Sequence, residues 1–381
     1  MRIYRLGDIY SRERILKELG VHKRGIEIIS NKMELLFFYI RDLKRPAVNI
    51  LKQDALSIGA EVATPAGAIL CNRDRYDCIL IGNRKNIEIL SHKELLQPFG
   101  LREVAEELQR FLKEDRNFPT QIMGIVNANG DSFYGKSRFK GGEAIAQIEK
   151  LIRDGADIID IGGVSSRPNS EGVPIEEELR RVKPICDTIR EQRLYENATF
   201  SIDSYTPKVI EYALKSGFKI VNDIRGASDD EVIRVAVDYG AKLSIMHMQG
   251  EPKNMQDNPQ YDNVILDISD FFEERIEKSL KFGLKIDDII IDVGIGFGKS
   301  LRDNLELIRN LSHFKRFGSP ILIGASRKSL IDNIVPSDVD DRLGGTLAIH
   351  LKALENGADI IRCHDVKEHF QAISVWKTLK N

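Results

Sequence analysis

From Gln121 to the end of the chain one beat repeats: a short apolar run, a polar residue or glycine where the run stops, then a charged stretch with helical spacing. Repetition of that unit about every 30 residues is how strands alternating with helices read in sequence, because a parallel strand needs a crossover before the next can pair. The runs are 122–126, 158–161, 199–202, 219–221, 243–246, 289–291, 321–323 and 360–361. Ile289-Ile290-Ile291 is apolar throughout and not at alternate positions, which predicts burial on both faces. Eight units over about 260 residues suit a closed (β/α)8 barrel better than an open doubly wound sheet. The expected fold is α/β, a TIM barrel over 116–381 preceded by a small α/β domain over 1–115.

Residues 1–115 lack that beat. Leu35, Leu36, Phe37, Phe38, Tyr39 and Ile40 form an aromatic-rich run and 78–81 a shorter one, both strand-like. Between them Pro46 opens a helix with Val48, Leu51, Ala55 and Ile58 on one face, stopping near the turn at Pro65-Ala66-Gly67. Segment 101–113, apolar at 101, 104, 105, 108, 111 and 112, reads as a helix that closes the domain, and 115–119 reads as a linker. No chemistry-bearing constellation stands out in this region, so it reads as a scaffold or interface element.

Charge narrows the partners. Lys+Arg 56 against Asp+Glu 58 leaves a net charge of -2, so bulk electrostatics call for no nucleic acid. No apolar run approaches the roughly 18 to 20 residues of a membrane span, and MRIYRLGDIY lacks a signal peptide's apolar segment. The four cysteines, Cys71, Cys78, Cys186 and Cys363, are scattered, and the spacing of the first two does not suit a zinc knuckle. A cytoplasmic protein with reduced thiols and no structural metal is expected.

In this barrel the C-terminal strand ends converge on one mouth. The residues delivered there are Asn127; Gly162-Gly163 leading to Ser165-Ser166-Arg167; Asp203; Asn222-Asp223; His247; Asp292; Ser326-Arg327-Lys328; and Arg362 with His364. Any one of them could be a helix cap, as Asp203, Ser165 and Asn222 are the residue types that satisfy free helix N–H groups. A whole ring of them calls for another explanation. Asp203, Asn222, Asp292 and Lys328 offer acceptors and donors suited to a flat heterocycle, and Asn127, Arg167, Arg362 and His364 offer donors suited to an anion. A planar substrate carrying a phosphate ester fits both halves.

The stretch 287–300, DDIIIDVGIGFGKS, is the densest part of that ring. A P-loop needs glycine where Val293 stands, and the alternating glycines at 294, 296 and 298 do not follow a dinucleotide fingerprint. Those glycines are expected to let backbone approach a flat ligand, with Lys299 presenting charge beside it.

Separated motifs make the reading specific: Met123-Gly124-Ile125-Val126-Asn127 then Asp131-Ser132-Phe133; Asp160-Ile161-Gly162-Gly163 with Ser166-Arg167-Pro168; Ser201-Ile202-Asp203-Ser204; Val221-Asn222-Asp223-Ile224; Met246-His247-Met248; Gly296-Phe297-Gly298-Lys299; Ser326-Arg327-Lys328-Ser329; and Arg362-Cys363-His364-Asp365. Together they make residues 120–381 closely resemble the dihydropteroate synthase family, which joins 6-hydroxymethyl-7,8-dihydropterin diphosphate to 4-aminobenzoate in folate biosynthesis and is a sulfonamide target. The resemblance implies pterin contacts from Asp203, Asn222, Met246, Asp292, Phe297, Gly324, Lys328 and Arg362. It implies diphosphate contacts from Asn127, Arg167, Arg362 and His364, and a 4-aminobenzoate pocket shaped by Phe133, Ser166, Pro168, Lys328 and Ser329. It further implies catalytic roles for Asp203, Lys328, Arg362 and His364, Mg2+ contacted by Asn127, and a homodimer. This chain departs from the family pattern at Ala128-Asn129-Gly130, where glycine replaces a proline, in the loop 164–166 through Val164 and Ser166, and at Val293. The loop 128–138 is expected to act as a lid that excludes water.

The implied reaction needs no strong general base, because an aryl amine is already neutral at pH 7, and the sequence offers no Ser-His-Asp or Cys-His constellation. A pterin-dependent methyltransferase would share Asp203, Asn222 and Asp292 but has less use for Lys328 and for Arg362 with His364. An aldolase-like enzyme with Lys328 as a Schiff-base nucleophile is opposed by the surrounding carboxylates, which favour a charged lysine. A pterin-binding protein without catalysis is the third alternative, prompted by the altered loop at 128–130.

Overall fold

The computed structural model describes residues 12–70, 72–114, 116, 118–128, 142–164 and 173–380. The chain divides into two compact units, Met1–Asp115 with Lys377–Asn381, and Arg116–Trp376.

The first unit runs α1 (Arg12–Glu18), α2 (Lys23–Ser30), β1 (Leu35–Lys44), α3 (Arg45–Ser57), β2 (Glu61–Ala63), β3 (Arg75–Asn83), α4 (Arg84–Glu94) and α5 (Leu101–Glu114). Its sheet has the order β1-β3-β2, with both outer strands antiparallel to β3. Pro46 lies in the first turn of α3, whose fixed φ it suits, and Val48, Leu51 and Ala55 are buried as their spacing predicts. β1 is longer than its apolar run because an irregularity after Ile40, with Asp42 at φ 56, lets pairing resume at Leu43↔Tyr76. The sequence pattern marks neither α1 and α2, nor β2, which is three residues long, nor α4, whose capping box is built from Asn83 and Asn86 instead of the commoner Ser/Glu pair.

The second unit is a closed barrel of eight parallel strands: β4 (Gln121–Asn127), β5 (Ile158–Gly162), β6 (Thr199–Asp203), β7 (Ile220–Asp223), β8 (Lys242–Met246), β9 (Ile289–Asp292), β10 (Ile321–Ile323) and β11 (Ile360–Cys363). Around it lie α6 (Gly142–Arg153), α7 (Ile175–Glu191), α8 (Pro207–Lys215), α9 (Asp230–Asp238), α10 (Val264–Lys281), α11 (Leu301–Arg309), α12 (Ser329–Asp332), α13 (Leu343–Glu355) and α14 (Val366–Lys380). A large core between strands and helices accounts for the outward positions, such as Ile159, Ile161, Phe200 and Ile202. A second, smaller cluster of Met123, Ile158, Ile220, Ile290, Leu322 and Ile360 fills the interior. β9 is therefore apolar on both faces, as expected for 289–291, whereas β6 and β8 turn the buried serines Ser201 and Ser244 inward.

That inner cluster is the floor on which the mouth is built. Side chains along a strand alternate faces, so the residues two positions further on point inward again. They are Ile125, Asp160, Asn222, Asp292, Gly324 and Arg362. Most strands extend a residue or two beyond their apolar runs, because polar residues such as Asp203 and Asp292 still take part in the ladder; Asn127↔Gly162, Gly162↔Asp203 and Asp203↔Asn222 are register partners. Among the described residues no helix is long and apolar enough to cross a membrane.

Candidate active site

Arg362 ties the mouth together. From β11 its Nε donates to Asp160 Oδ2 on β5 at 2.7 Å, and its Nη2 donates to Asp203 Oδ2 on β6 at 2.7 Å. Asp160 Oδ2 also accepts from Asn222 Nδ2 at 3.1 Å, so one carboxylate oxygen holds two of the inferred pterin ligands. Burial alone would favour a neutral Arg362, but Asp160 and Asp203 outweigh it and hold the guanidinium charged. Asp203 feels the opposite balance: burial pushes it up, Arg362 pulls it down, and the charge of Asp160 pushes it up again, leaving it above the ordinary carboxylate range.

Asp292 ends β9, is buried, and accepts from Gly294 N at 2.8 Å. Burial pushes its pKa up, against the Gly294 N–H, Lys328, Arg362 and Lys299. Lys328 Nζ donates to Ile295 O at 2.5 Å and lies 4.3 Å from the centre of the Phe297 ring. Burial and Arg362 lower its pKa, and Asp292 and Asp203 raise it, with a balance at about 7. This corrects the expectation that the carboxylates keep Lys328 firmly charged: removal from water is the larger effect, although a half-buried ammonium feels less of it than an enclosed one. Met246, register partner of Asp292, is buried beside it, and Gly324 leaves room for Arg362, whose Cβ lies 3.6 Å from where a Gly324 Cβ would stand.

Two expectations for 294–299 are overturned. Gly294 and Gly298 are required by neighbouring protein backbone: with φ of 67 and 62, a Cβ would lie 2.0 Å from His247 O and 2.4 Å from Gln249 O. Lys299 is enclosed by protein and does not project into the mouth, although its charge is felt by Asp292. It is 3% exposed, and its Nζ donates to Phe297 O at 2.9 Å and His247 O at 3.2 Å and reaches His247 Nδ1 at 3.0 Å. Enclosure lowers it to about 7. It bolts the loop after β8 to the loop after β9.

On the anion side His364 is neutral, held down at about 3 by burial and by Arg362. Ser326 Oγ accepts from the His364 backbone N–H at 3.3 Å and lies 2.9 Å from its Nδ1. Ser326 thus fixes the orientation of the ring through its Nδ1 edge. Asn127 is half-buried at the end of β4, on the inward face shared with Met123. Ser329 is exposed at the start of α12. Phe133, Ser166, Arg167 and Pro168 lie outside the described residues, as does 129–138 of the expected lid.

Other ring members serve the scaffold. Asp223 accepts from Arg225 N and Ala227 N, both at 2.8 Å. Arg327 donates to both oxygens of Asp365 at 2.9 Å and to the carbonyls of Val339 and Asp340. Asp160, by contrast, belongs to a sequence motif but has no site role in the sequence pattern, because it sits inside an apolar run; its place two residues beyond Ile158 on an inward face is the signal that finds it.

This geometry agrees with comparisons to known proteins. The model of the pterin binding enzyme family matches residues 123–364. A bifunctional dihydropteroate synthase/dihydropteroate reductase of Helicobacter pylori is 42% identical over 365 residues, 96% of each chain. The dihydropteroate synthase of Haemophilus influenzae is 40% identical over 262 residues, 68% of this chain and 94% of its own. The crystal structure of the Yersinia pestis dihydropteroate synthase in a sulfonamide drug complex superposes with a TM-score of 0.65 at 35% identity, covering 68% of this chain and 94% of the other. With the inward ring of Asp203, Asn222, Asp292, Lys328 and Arg362 in place on a matching barrel, the chain belongs to the pterin binding enzyme family and, within it, to the dihydropteroate synthases.

Proposed function

We propose that the barrel is an alkyl/aryl transferase that condenses 6-hydroxymethyl-7,8-dihydropterin diphosphate with 4-aminobenzoate, releasing diphosphate. The observation that carries this reading is the convergence of Asp292, Asn222, Asp203, Lys328 and Arg362 on one inward ring above an apolar floor. Asp292 suits the two-donor amino and ring N–H edge of the pterin, because a carboxylate accepts two parallel hydrogen bonds. Met246 and Phe297 suit the faces of the ring, and Lys328, above Phe297, suits its carbonyl.

Bond breaking ahead of amine attack fits this site best. The dihydropterin delocalises a developing cation, and Asp203 and Asp292 lie close enough to the mouth to favour it electrostatically. Arg362, kept charged by its two aspartates, and His364 would hold the leaving diphosphate, with Asn127 and Arg167. Mg2+ fits this donor set in one way. Asn127 offers a neutral amide oxygen, and no group of three His, Cys, Asp or Glu among the described residues could hold a metal unaided. Asn127 would thus hold the ion together with diphosphate oxygens and water, and the bound ion would offset charge developing on the leaving group. The test is diphosphate release by the purified protein with and without 4-aminobenzoate. Release that depends on the amine and matches dihydropteroate formed supports the reading; pterin binding without turnover sinks it. Light scattering checks the homodimer that we also propose.

A second reading concerns the first unit. The H. influenzae synthase matches 68% of this chain, whereas the H. pylori protein, named for a reductase as well, matches 96%. The additional match falls on the first unit, which makes it the place to seek a contribution to dihydropteroate reduction. Incubating the full chain with dihydropteroate and reduced nicotinamide nucleotide, and following tetrahydropteroate, tests this; no reduction under any hydride donor would discard it.

A further inference from the structure

The side chain least explained by the architecture is that of Asp160, fully buried in the interior of the barrel one step above the floor residue Ile158. Enclosing a carboxylate costs several kcal/mol unless its oxygens are well satisfied. Here Oδ2 accepts from both Arg362 Nε and Asn222 Nδ2, while Oδ1, equally buried, has no hydrogen-bond partner in the structure. A guanidinium and a carboxylate held together for strength pair two bonds against two. Arg362 instead splits its fork between Asp160 and Asp203. The arrangement orients its members more than it satisfies them.

We infer that Asp160 is a positioning residue that sets the hydrogen-bonding polarity of the pterin pocket, by turning the donor end of Asn222 and the Nε of Arg362 inward. An amide has one donating and one accepting end, so commitment of Nδ2 to Asp160 leaves the Asn222 carbonyl to face a ligand. Commitment of Nε leaves the terminal nitrogens of Arg362 for Asp203 and the mouth. Without the Asp160 carboxylate the Asn222 amide can flip and offer a donor where an acceptor is needed. The inference rests on reading the mouth as a pterin site.

Charge supplies a second consequence. Besides burial, the groups bearing on Asp203 are Arg362 on β11, Asp160 on β5, Glu178 on α7, Asp223 on β7 and Lys328 after β10. Neutralising Asp160 removes one upward push on Asp203 and leaves Asp203 without a charged competitor for Arg362. Both changes pull Asp203 down.

The experiment is Asp160→Asn in the full chain, with thermal melting to establish folding and steady-state kinetics using the pterin diphosphate and 4-aminobenzoate. The expected result is a rise of about tenfold in the KM for the pterin, the equivalent of one lost charge-assisted hydrogen bond, with a smaller change in kcat and an unaltered KM for 4-aminobenzoate. The acid limb of the pterin kcat/KM profile is expected to move to lower pH, a shift that a loss of packing alone would not produce. A folded variant with unchanged pterin KM, or with a raised KM and an unmoved limb, overturns the inference. If Asp160→Asn does not fold, Asp160→Ser is put to the same test, since buried serines at 201 and 244 are already accommodated within these strands. Should the unsubstituted protein make no dihydropteroate, the reading of the mouth itself fails; if it does and the variant matches it, only the role of Asp160 falls.

Discussion

Replacing Gly294 by alanine separates two reasons a loop can demand glycine. At φ 67 an alanine costs about 1 kcal/mol in backbone strain wherever it stands. At Gly294 the new Cβ would also lie 2.0 Å from the carbonyl oxygen of His247, a backbone atom that already accepts from Lys299 Nζ at 3.2 Å. That oxygen cannot swing aside as a flexible side chain would. Relief requires the loop after β8 to retreat by more than an ångström, breaking the Lys299 bolt. A buried hydrogen bond to a charged donor is worth roughly 1.5 to 3 kcal/mol, so the total is about 2.5 to 4 kcal/mol. Gly240 provides the control, because it has φ 58 and nothing within 4 Å of its would-be Cβ, and Gly240→Ala should cost only about 1 kcal/mol. Urea unfolding followed by fluorescence of Trp376, the single tryptophan, which packs against the barrel core, measures both variants in one assay. Gly294→Ala should also weaken pterin binding, since the loop it displaces carries Phe297. If the two variants were destabilised equally, within about 0.5 kcal/mol, close approach to His247 would not be what requires this glycine.

Asp292→Asn should leave the melting temperature nearly unchanged and weaken pterin binding by roughly 1.5 to 3 kcal/mol, because an amide cannot accept both bonds of the pterin edge; calorimetry showing unaltered affinity would remove Asp292 from the site. Pterin affinity should fall as pH is lowered through the raised pKa of Asp203, whose charged form is the better acceptor and is lost at higher pH than in an exposed aspartate near about 4; an affinity flat between about pH 4.5 and 8 would contradict this. His364, neutral throughout that range, should contribute no limb to the pH–rate profile, so His364→Gln should lower the rate without changing the profile's shape. A chain beginning at Arg116 should retain 4-aminobenzoate-dependent diphosphate release, because every described member of the inward ring belongs to the second unit; a folded truncation that binds pterin but does not turn over would assign the first unit a part in the synthase reaction.

Which parts of the site were legible in the sequence follows from what a linear pattern encodes. The eight strands could be read because a strand covered on both faces is apolar at most positions, and their polar ends could be gathered into one ring because the barrel brings all strand ends together. Membership in the ring could not be divided between ligand and scaffold, because direction is decided by neighbours distant in sequence. Arg327 is taken up by Asp365, Asp223 by its own loop, and Lys299 by His247, and no local spacing distinguishes them from Arg362 or Lys328. The glycines at 294 and 298 were assigned to a ligand because the backbone that crowds them comes from the preceding strand's loop.

Asp160 shows where the missing information was. An acid at the end of a strand is cheap, since it can cap a helix or face water, and so it says little about function. An acid inside a strand that is otherwise apolar on both faces has neither outlet, and its burial is costly enough that a partner must meet it within the barrel. Counting two residues on from the floor at Ile158, Ile220, Ile290 and Ile360 yields Asp160, Asn222, Asp292 and Arg362, two of which bond directly to the first. The period of two that defines each strand thus also picks out the polar layer above the floor. In this barrel the acid that interrupts an apolar run belongs to the same layer as Asn222, Asp292 and Arg362, which end theirs.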